Sequence, residues 1–316
     1  MAERVLVTGS NGCIGAWAVK LLRAEGTEVV AFDKEMAEHR HRLINHGELP
    51  DADWVLGDLT VADDVRRAAE GCSRIVHLAA LQIPFCRANP SLGAAVNVTG
   101  TVNVFEAARH TGVEQISQAS SIAVFGTAAD YPDHIIRADA ERKPTTLYGV
   151  YKVATEDLAK VYWAENGIRS VGLRPHTVYG PGRDQGMTSL PSVGIDNAAR
   201  RQEFHIDYGG TLDFQYARDV AAAFIHAARV PLDGAPTFNL GGHVVSVADF
   251  VAATCAVTGF DRITCGTSSL PVVAGAEAHD WIETAGGAAP TPLRDAIAES
   301  VQMFAAASSR GQEGSK

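Results

Sequence analysis

The chain reads as an α/β protein built on a doubly wound parallel sheet, and three observations lead there. Short apolar runs alternate with amphipathic stretches of helical period through residues 1–174. The first run, Val5-Leu6-Val7-Thr8, breaks directly into Gly9-Ser10-Asn11-Gly12-Cys13-Ile14-Gly15, three glycines spaced by three. An acid, Asp33, closes the second run 24 residues after Gly9.

Strand, glycine turn, helix, strand and acid come in the order that holds a dinucleotide. Gly9 allows the tight turn and Gly12 lets the backbone approach a pyrophosphate. Gly15 lets the helix pack closely on the strand, with its positive end toward the anion. Asn11, Cys13 and Ile14 share this turn, where Cys13 is a small residue filling space. Asp33 stands where a carboxylate binds the adenosine ribose hydroxyls. It repels a 2′-phosphate, so NAD is expected rather than NADP, although Lys34, Arg40 and Arg42 stand close by.

The elements follow in sequence. The helix after the glycine turn carries Ala16, Val19, Leu21 and Leu22, and Glu28 to Asp33 is the second strand. Residues 35–47, rich in His and Arg, read as a surface helix. Asp53 to Leu56 is a third strand, ended by Gly57-Asp58-Leu59-Thr60, with Thr60 placed to cap a helix at 61–70. Arg74 to Ala80 is a fourth strand, and a loop with Pro84 and Pro90 leads to a long helix at 91–110. Gln115 to Ser121 is the fifth strand, 145–166 a second long helix, and Arg169 to Arg174 the sixth strand. A sheet of this kind presents its ligand at the carboxyl ends of the strands, where Gly9 to Gly15, Asp33, Asp58, Ala79, Ser120, Ser121 and Pro175 all fall.

From residue 175 the grammar changes. Prolines and glycines cluster through Tyr179-Gly180-Pro181-Gly182-Arg183. A helix near 192–201, a strand near 203–208, a strand end and helix over Phe214 to Ala228, and a strand at Thr237 to Leu240 follow. Val247 to Val257 and Pro292 to Ala306 are amphipathic helices, and the small polar tail from Ser308 to Lys316 is expected to fray. The expected organisation is a Rossmann-type NAD-binding domain over 1–174 that takes its last strands from about 213–243. A smaller substrate-binding lobe makes up most of 175–316.

Bulk composition narrows the partners. Hydrophobic residues are 46% and charged residues 20%, enough for a sizeable core. A net charge of −10 argues against nucleic acid or an anionic membrane. Five scattered cysteines form no Cys-x-x-Cys pair, so neither a disulfide framework nor a metal site is expected. With no signal pattern and no long apolar run, a cytoplasmic protein is the expectation.

The chemistry centres on Tyr148-Gly149-Val150-Tyr151-Lys152. Tyr148 and Lys152 are four apart on a predicted helix and so share one face. A tyrosine titrates near ~10, and an adjacent ammonium favours its phenolate, bringing it toward useful acid/base range. Lys152 is also placed to hold the nicotinamide ribose. Tyr151 has Thr155, not a lysine, four residues on. Ser121 at the end of the fifth strand can hydrogen-bond the substrate oxygen that Tyr148 protonates or deprotonates. Ser120 is the alternative, because successive strand side chains point to opposite sides.

These segments together resemble one family. Thr8-Gly9-x-x-Gly12-x-x-Gly15, His77-Leu78-Ala79-Ala80, Asn97-Val98-x-Gly100-Thr101, Ser120-Ser121-x-x-Val124-Phe125-Gly126, Tyr148-x-x-x-Lys152 and Arg174-Pro175-x-x-Val178-Tyr179-Gly180-Pro181-Gly182 occur in order. The chain resembles an extended short-chain dehydrogenase/reductase of the NAD-dependent epimerase/dehydratase group. The resemblance implies that Tyr148 is the acid/base, Lys152 its tuner and ribose ligand, and Ser121 the orienting group. It implies that Asp58 and Leu59 flank the adenine, that Leu78, Ala79 and Ala80 pass along the cofactor, and that Pro175 lies by the nicotinamide. Asn97 supports the site, and His176, Thr177 and Arg183 join Ser121 as candidate substrate contacts. A homodimer through the two long helices is also implied.

Two positions depart from the pattern. Family members acting on nucleotide-diphosphate sugars usually carry Asn where Thr177 stands and Arg where Leu212 stands. Both help hold the diphosphate, so a free sugar, sugar acid or polyol is expected more than a UDP-sugar. Arg183 or Arg218 can compensate. The leading expectation is an NAD-dependent dehydrogenase or epimerase acting at a secondary alcohol or ketone carbon of a sugar-like substrate. A UDP-glucose-type 4-epimerase is the alternative, and a non-catalytic NAD sensor the third reading. Ile122 and Ala123 after Ser121 disfavour dehydration, which usually needs acids there.

Overall fold

Seven short runs of β-branched and apolar residues assemble into one all-parallel sheet in the computed structural model, which describes residues 3–131, 135–137 and 139–313. The strands are β1 (Arg4–Thr8), β2 (Glu28–Asp33), β3 (Asp53–Leu56), β4 (Arg74–His77), β5 (Gln115–Ala119), β6 (Arg169–Arg174) and β7 (Thr237–Asn239). Their spatial order is β7-β6-β5-β4-β1-β2-β3. β1 therefore pairs with β2 on one side and β4 on the other, with Val5 opposite both Val29 and Arg74. The chain reverses its winding at this point, which opens a crevice above the carboxyl ends of β1 and β4.

Both sheet faces are covered, as a parallel sheet requires. Val5 and Val7 pack on one face with Trp17, Val19 and Leu22 of α1 (Cys13–Ala24) and Phe224 of α8 (Ala217–Arg229). Leu6, Val30 and Phe32 pack on the other face with Val65 of α3 (Ala62–Ala69), Phe105 of the helical stretch Gly100–Thr111, and Ala159 of α6 (Leu147–Asn166). The period of two along the strand divides the side chains between the two cores. The first core continues without a break into the second lobe through Tyr179, Phe214, Phe250 and Ile297.

That lobe is made of small pieces. Thr211–Tyr216 pairs antiparallel with His243–Ser246 and parallel with Thr177–Tyr179. Phe204–Ile206 pairs with Ile263–Cys265, and Ile135–Ile136 with Gly275–Ala276. Of the segment 213–243, Thr237–Asn239 is the part that joins the large sheet. The lobe's helices are α7 (Leu190–Ala199), α9 (Val247–Thr258), α10 (His279–Ala285) and α11 (Leu293–Glu313).

Several sequence expectations are corrected here. The Pro84 segment is a helix, α4 (Ile83–Ala88), because a proline in the first turn has no intrahelical N–H to lose. The long helix α5 begins at Pro90 and runs through Pro90–Ala94, a π-helical turn over Ala95–Thr99, and Gly100–Thr111. The 35–47 stretch shortens to α2 (Glu38–Ile44), which is no pure surface helix, since His41 and Ile44 are fully buried. Thr60 does not cap α3; its hydroxyl and N–H both donate to the Asp58 carboxylate. The polar tail stays helical as far as Glu313.

Candidate active site

The cofactor edge is made of backbone. Gly9 has φ +70° and donates its N–H to the Phe32 carbonyl at 2.9 Å. A Cβ at Gly9 would stand 2.7 Å from the Ala79 nitrogen, and one at Gly15 would overlap the Gly9 carbonyl oxygen. Neither position admits a side chain without moving backbone. Gly12 caps α1 with no side-chain hydrogen bond, which leaves the first-turn N–H donors for an anion.

Asp33 ends β2 facing this turn. Its Oδ2 accepts the Asn11 N–H at 2.8 Å and its Oδ1 the Lys34 N–H at 2.8 Å. Burial nevertheless pushes its carboxyl above the usual range. Asp58 is held below its usual range by its bonds from Thr60, and it pairs with Lys34 at 3.2 Å. Leu59 packs under Gly100 of α5. Thr8, His77 and Thr101 link β1, β4 and α5 through bonds of 2.7 and 3.1 Å, and the Thr8 Oγ1 also accepts from the N–H groups of Leu78 and Ala79. From the π-turn, Asn97 exchanges two hydrogen bonds with the Leu81 backbone, at 2.7 and 2.9 Å, and so fixes the segment after Ala80. A dinucleotide fits this frame: a glycine cradle, uncapped helix donors and a ribose-side carboxylate converge on one crevice.

The catalytic edge is made of side chains. Thr146 starts α6 by accepting the Gly149 N–H at 3.0 Å, which sets the turn carrying Tyr148. β5 stops at Ala119, short of the expected Ser121, which instead caps the short turn Ile122–Val124, its Oγ accepting the Ala123 N–H at 3.2 Å. The Tyr148 phenol stands beside Ser121, whose influence holds its pKa down against burial, while Ser120 turns inward to the buried Glu156. The Ile122 N–H donates to the Pro175 carbonyl at 3.0 Å, so the ends of β5 and β6 are joined beside Ser121. Tyr151 is directed elsewhere, donating to the Pro90 carbonyl.

Lys152 lies with its Nζ 5.5 Å from the Tyr148 ring centre, donating to the Ala119 carbonyl at 2.5 Å. Here the electrostatic expectation is corrected. Burial pushes the Tyr148 phenol up, and the counteracting influences are the Ser121 bond and the Arg183 charge. Burial also lowers Lys152 to about 8. The ammonium is spent on a carbonyl, so desolvation decides the direction at Tyr148.

The predicted substrate contacts fare unequally. Thr177 is 1% exposed, and its hydroxyl bonds the His176 Nδ1 at 3.0 Å. The other His176 nitrogen meets the Val273 carbonyl at 2.9 Å, and burial lowers this histidine to about 4. Both residues are absorbed into the frame of the second lobe. Arg183 instead faces Cys13, Tyr148 and Tyr208, with one guanidinium nitrogen 3.2 Å from the Thr188 hydroxyl. Cys13 is pushed up to about 12 by burial, as an unreactive space-filler should be. Leu212 is 1% exposed in its strand, and Arg218 is held by Glu299 at 2.6 Å.

Nothing in the sequence signals how the two lobes are joined. Asp184 takes Arg40 through two guanidinium nitrogens, the shortest contact being 2.6 Å, and His39 at 2.9 Å. Arg40 also donates to the Asn11 carbonyl, and the Trp17 indole donates to the Pro181 carbonyl at 2.9 Å. The loop after Gly180 is thereby fastened across the glycine turn. These partners are 144 and 164 residues apart, so no local spacing could reveal them.

The model of the NAD dependent epimerase/dehydratase family matches residues 5–241. The chain belongs to this family. Among relatives of this epimerase/dehydratase, the UDP-glucose 4-epimerase of Mycolicibacterium smegmatis is 32% identical over 246 residues, covering 75% of this chain and 77% of that one. The structure of MoeE5 in complex with UDP-glucose and NAD superposes with a TM-score of 0.79 at 30% identity, covering 95% and 98% of the two chains. The UDP-glucose 4-epimerase of Thermus thermophilus, in complex with NAD, shares the fold, with a TM-score of 0.80 at 24% identity over 96% and 99%. The protein is an NAD-dependent family enzyme on a Rossmann-type sheet. Among the described residues, no helix is long and apolar enough to cross a membrane.

Proposed function

We propose that the enzyme transfers hydride at a secondary alcohol or ketone carbon of a sugar-like substrate, as a sugar dehydrogenase or epimerase. The observation that carries this reading is the Lys152 ammonium 5.5 Å from the Tyr148 ring and bonded to the Ala119 carbonyl, two residues before Ser121, at the strand ends that also carry the glycine turn. Tyr148 Oη takes the substrate hydroxyl proton in oxidation and returns it in reduction. Ser121 Oγ orients the substrate oxygen, and Lys152 supplies fixed positive charge at the base of the site. Bound NAD would supply the hydride acceptor, and the positive charge of its oxidised nicotinamide would favour the phenolate.

A nucleotide-diphosphate sugar is the second reading, favoured by the names of the relatives. Leu212 offers no charge for a diphosphate, and Arg218 is engaged elsewhere, so Arg183 is the cation placed to receive an anionic group. The residues after Ser121 form the short turn Ile122–Val124 with no acid, which speaks against dehydration.

The test is direct. Protein that retains NAD(H) through desalting, seen by absorbance near the reduced-nicotinamide band, supports an epimerase; empty protein that reduces added NAD with sugars or polyols supports a dehydrogenase. Thermal protection by UDP-glucose and not by free sugars would replace the leading reading with the second. Inactivity toward both panels would reject both substrate classes.

We also propose a cytoplasmic homodimer. Exposed Leu92 on α5 and Leu147, Val150 and Val161 along one stripe of α6 give a second copy an apolar face. Light scattering on Val161→Lys and the parent protein tests this: a parent that is already monomeric sinks it.

A further inference from the structure

Behind Lys152 lies a buried charge cluster that the proton-transfer scheme leaves unused. Glu156 sits one turn further along α6 and is 1% exposed. Arg174 at the end of β6 grips it at both oxygens, Nε to Oε1 and a terminal nitrogen to Oε2, each at 2.7 Å. Arg142, from the chain before α6, reaches Oε2 at 3.1 Å and also Asp157 on the helix surface. The Ser120 hydroxyl donates to Oε1 at 2.5 Å. Arg174 is fixed in turn by Asn239 of β7 at 3.3 Å, and its guanidinium lies 5.0 Å from the Phe125 ring centre.

A buried ion pair rarely adds much stability over a well-packed apolar pair of the same size. This one joins three elements at one point: α6, which carries Tyr148 and Lys152; the segment leaving β5, which carries Ser120 and Ser121; and the end of β6, which leads into Pro175. Ser120 and Ser121 point to opposite sides, so anchoring the first aims the second. The same strand end offers the Ala119 carbonyl to the Lys152 ammonium.

We infer that Glu156 is a positioning residue, which moors the strand bearing Ser121 to the helix bearing Tyr148 and keeps Lys152 protonated. The charged and titratable groups facing Lys152 are Tyr148 and Glu156 on its own helix, Cys86 on α4 and His77 on β4. His77 is kept neutral by burial, which lowers it to about 3, and burial also raises Cys86. Glu156 is therefore the anion that opposes deprotonation of the buried ammonium. The inference rests on the assignment of Tyr148, Lys152 and Ser121 given above, but not on the identity of the substrate.

The experiment follows the Lys152 side chain by NMR in lysine-labelled protein, which has few other lysines, with its signal assigned by Lys152→Met. In Glu156→Gln the Lys152 titration should move down by about one pH unit, a tenfold change in its protonation equilibrium. Glu156→Asp should restore most of it. Because Glu156→Gln leaves Arg174 buried without its anion, a double variant, Glu156→Gln with Arg174→Gln, removes both charges and is expected to fold if the single one does not. An unmoved Lys152 titration in folded Glu156→Gln overturns the inference; where only the double variant folds, its two lost charges offset at Lys152, and unchanged solvent exchange of the Lys152 ammonium, which a loosened strand end should speed, overturns it instead. Turnover of UDP-glucose, measured in parallel, tests the substrate reading alone, since the lysine titration needs no substrate.

Discussion

The two walls of the crevice are made by different means. On the glycine side, Gly9, Gly12 and Gly15 lie within a single strand-turn-helix unit and line the crevice with backbone, leaving no room for a side chain at Gly9 or Gly15. On the opposite side, Ser121 follows β5, Tyr148 and Lys152 share α6, and Arg183 lies in the loop after Gly180, while the second lobe behind them is assembled from three small sheets among the described residues. The first wall is therefore local and intolerant of any added atom. The second is non-local and depends on side chains being held at a distance from their own strand or helix. Substitutions should break the two walls differently.

The largest effect is expected at Tyr148. Tyr148→Phe should lower turnover by roughly 10³-fold while NAD affinity, measured by calorimetry, stays within twofold. Full activity in the Phe variant would remove Tyr148 from the chemistry. Gly15→Ala should do the reverse, weakening NAD binding about 100-fold, because the new Cβ overlaps the Gly9 carbonyl and shifts the turn at a cost of ~3 kcal/mol. Unchanged NAD affinity there would mean that the cradle is not the binding surface. Asp33→Asn should narrow the preference for NAD over NADP by about tenfold, ~1.4 kcal/mol, as the charge opposing a 2′-phosphate is lost. Competition between the two cofactors measures it.

Acid sharpens the contrast in another way, through histidines buried in both halves. His41 is lowered to about 4, His77 to about 3 and His176 to about 4, each by burial. A base whose folded pKa is depressed takes up protons more readily when unfolded. Its stabilisation is complete above about pH 6.5 and is lost as pH falls toward the folded value, by about 1.4 kcal/mol per pH unit for each histidine. Asp213, raised to about 6 by burial, and Asp33 and Asp196, raised in the same direction, oppose this, but the three histidines begin to lose their stabilisation at a higher pH than these carboxylates begin to gain theirs. The melting temperature should drop between pH 7 and pH 5, and His77→Gln should flatten the drop by about a third. A flat profile in the parent protein would show that these rings are hydrated. The smallest effect is expected at the seam: Asp184→Asn should speed NADH release about fivefold in a stopped-flow chase, the range for a partly exposed charged contact.

Legibility follows the same division. The glycine spacing, Asp33 and all seven strands of the large sheet can be read, Thr237–Asn239 included, because each is a local pattern of short period. Tyr148 and Lys152 can be paired because a helix puts residues four apart on one face. Long-range matters stay hidden from such a reading. The Ser120–Glu156 bond, which separates the roles of the two serines, spans 36 residues. The burial of Thr177 depends on a strand pairing with Thr211–Tyr216 that no local alternation signals. The phenol at Tyr148 shifts in the direction opposite to the one spacing predicts, because spacing counts the nearby lysine but not the water that folding removes from both groups.

The π-helical turn at Ala95–Thr99 has one more consequence. Such a turn holds an extra residue within a helix, so everything on its N-terminal side is rotated by about 100° relative to an unbroken coil. Asn97 reaches Leu81 from within that insertion. Deleting one residue there would leave a smoother, more regular rod, yet it would swing the amide off the loop after β4 and slacken the floor under the cofactor.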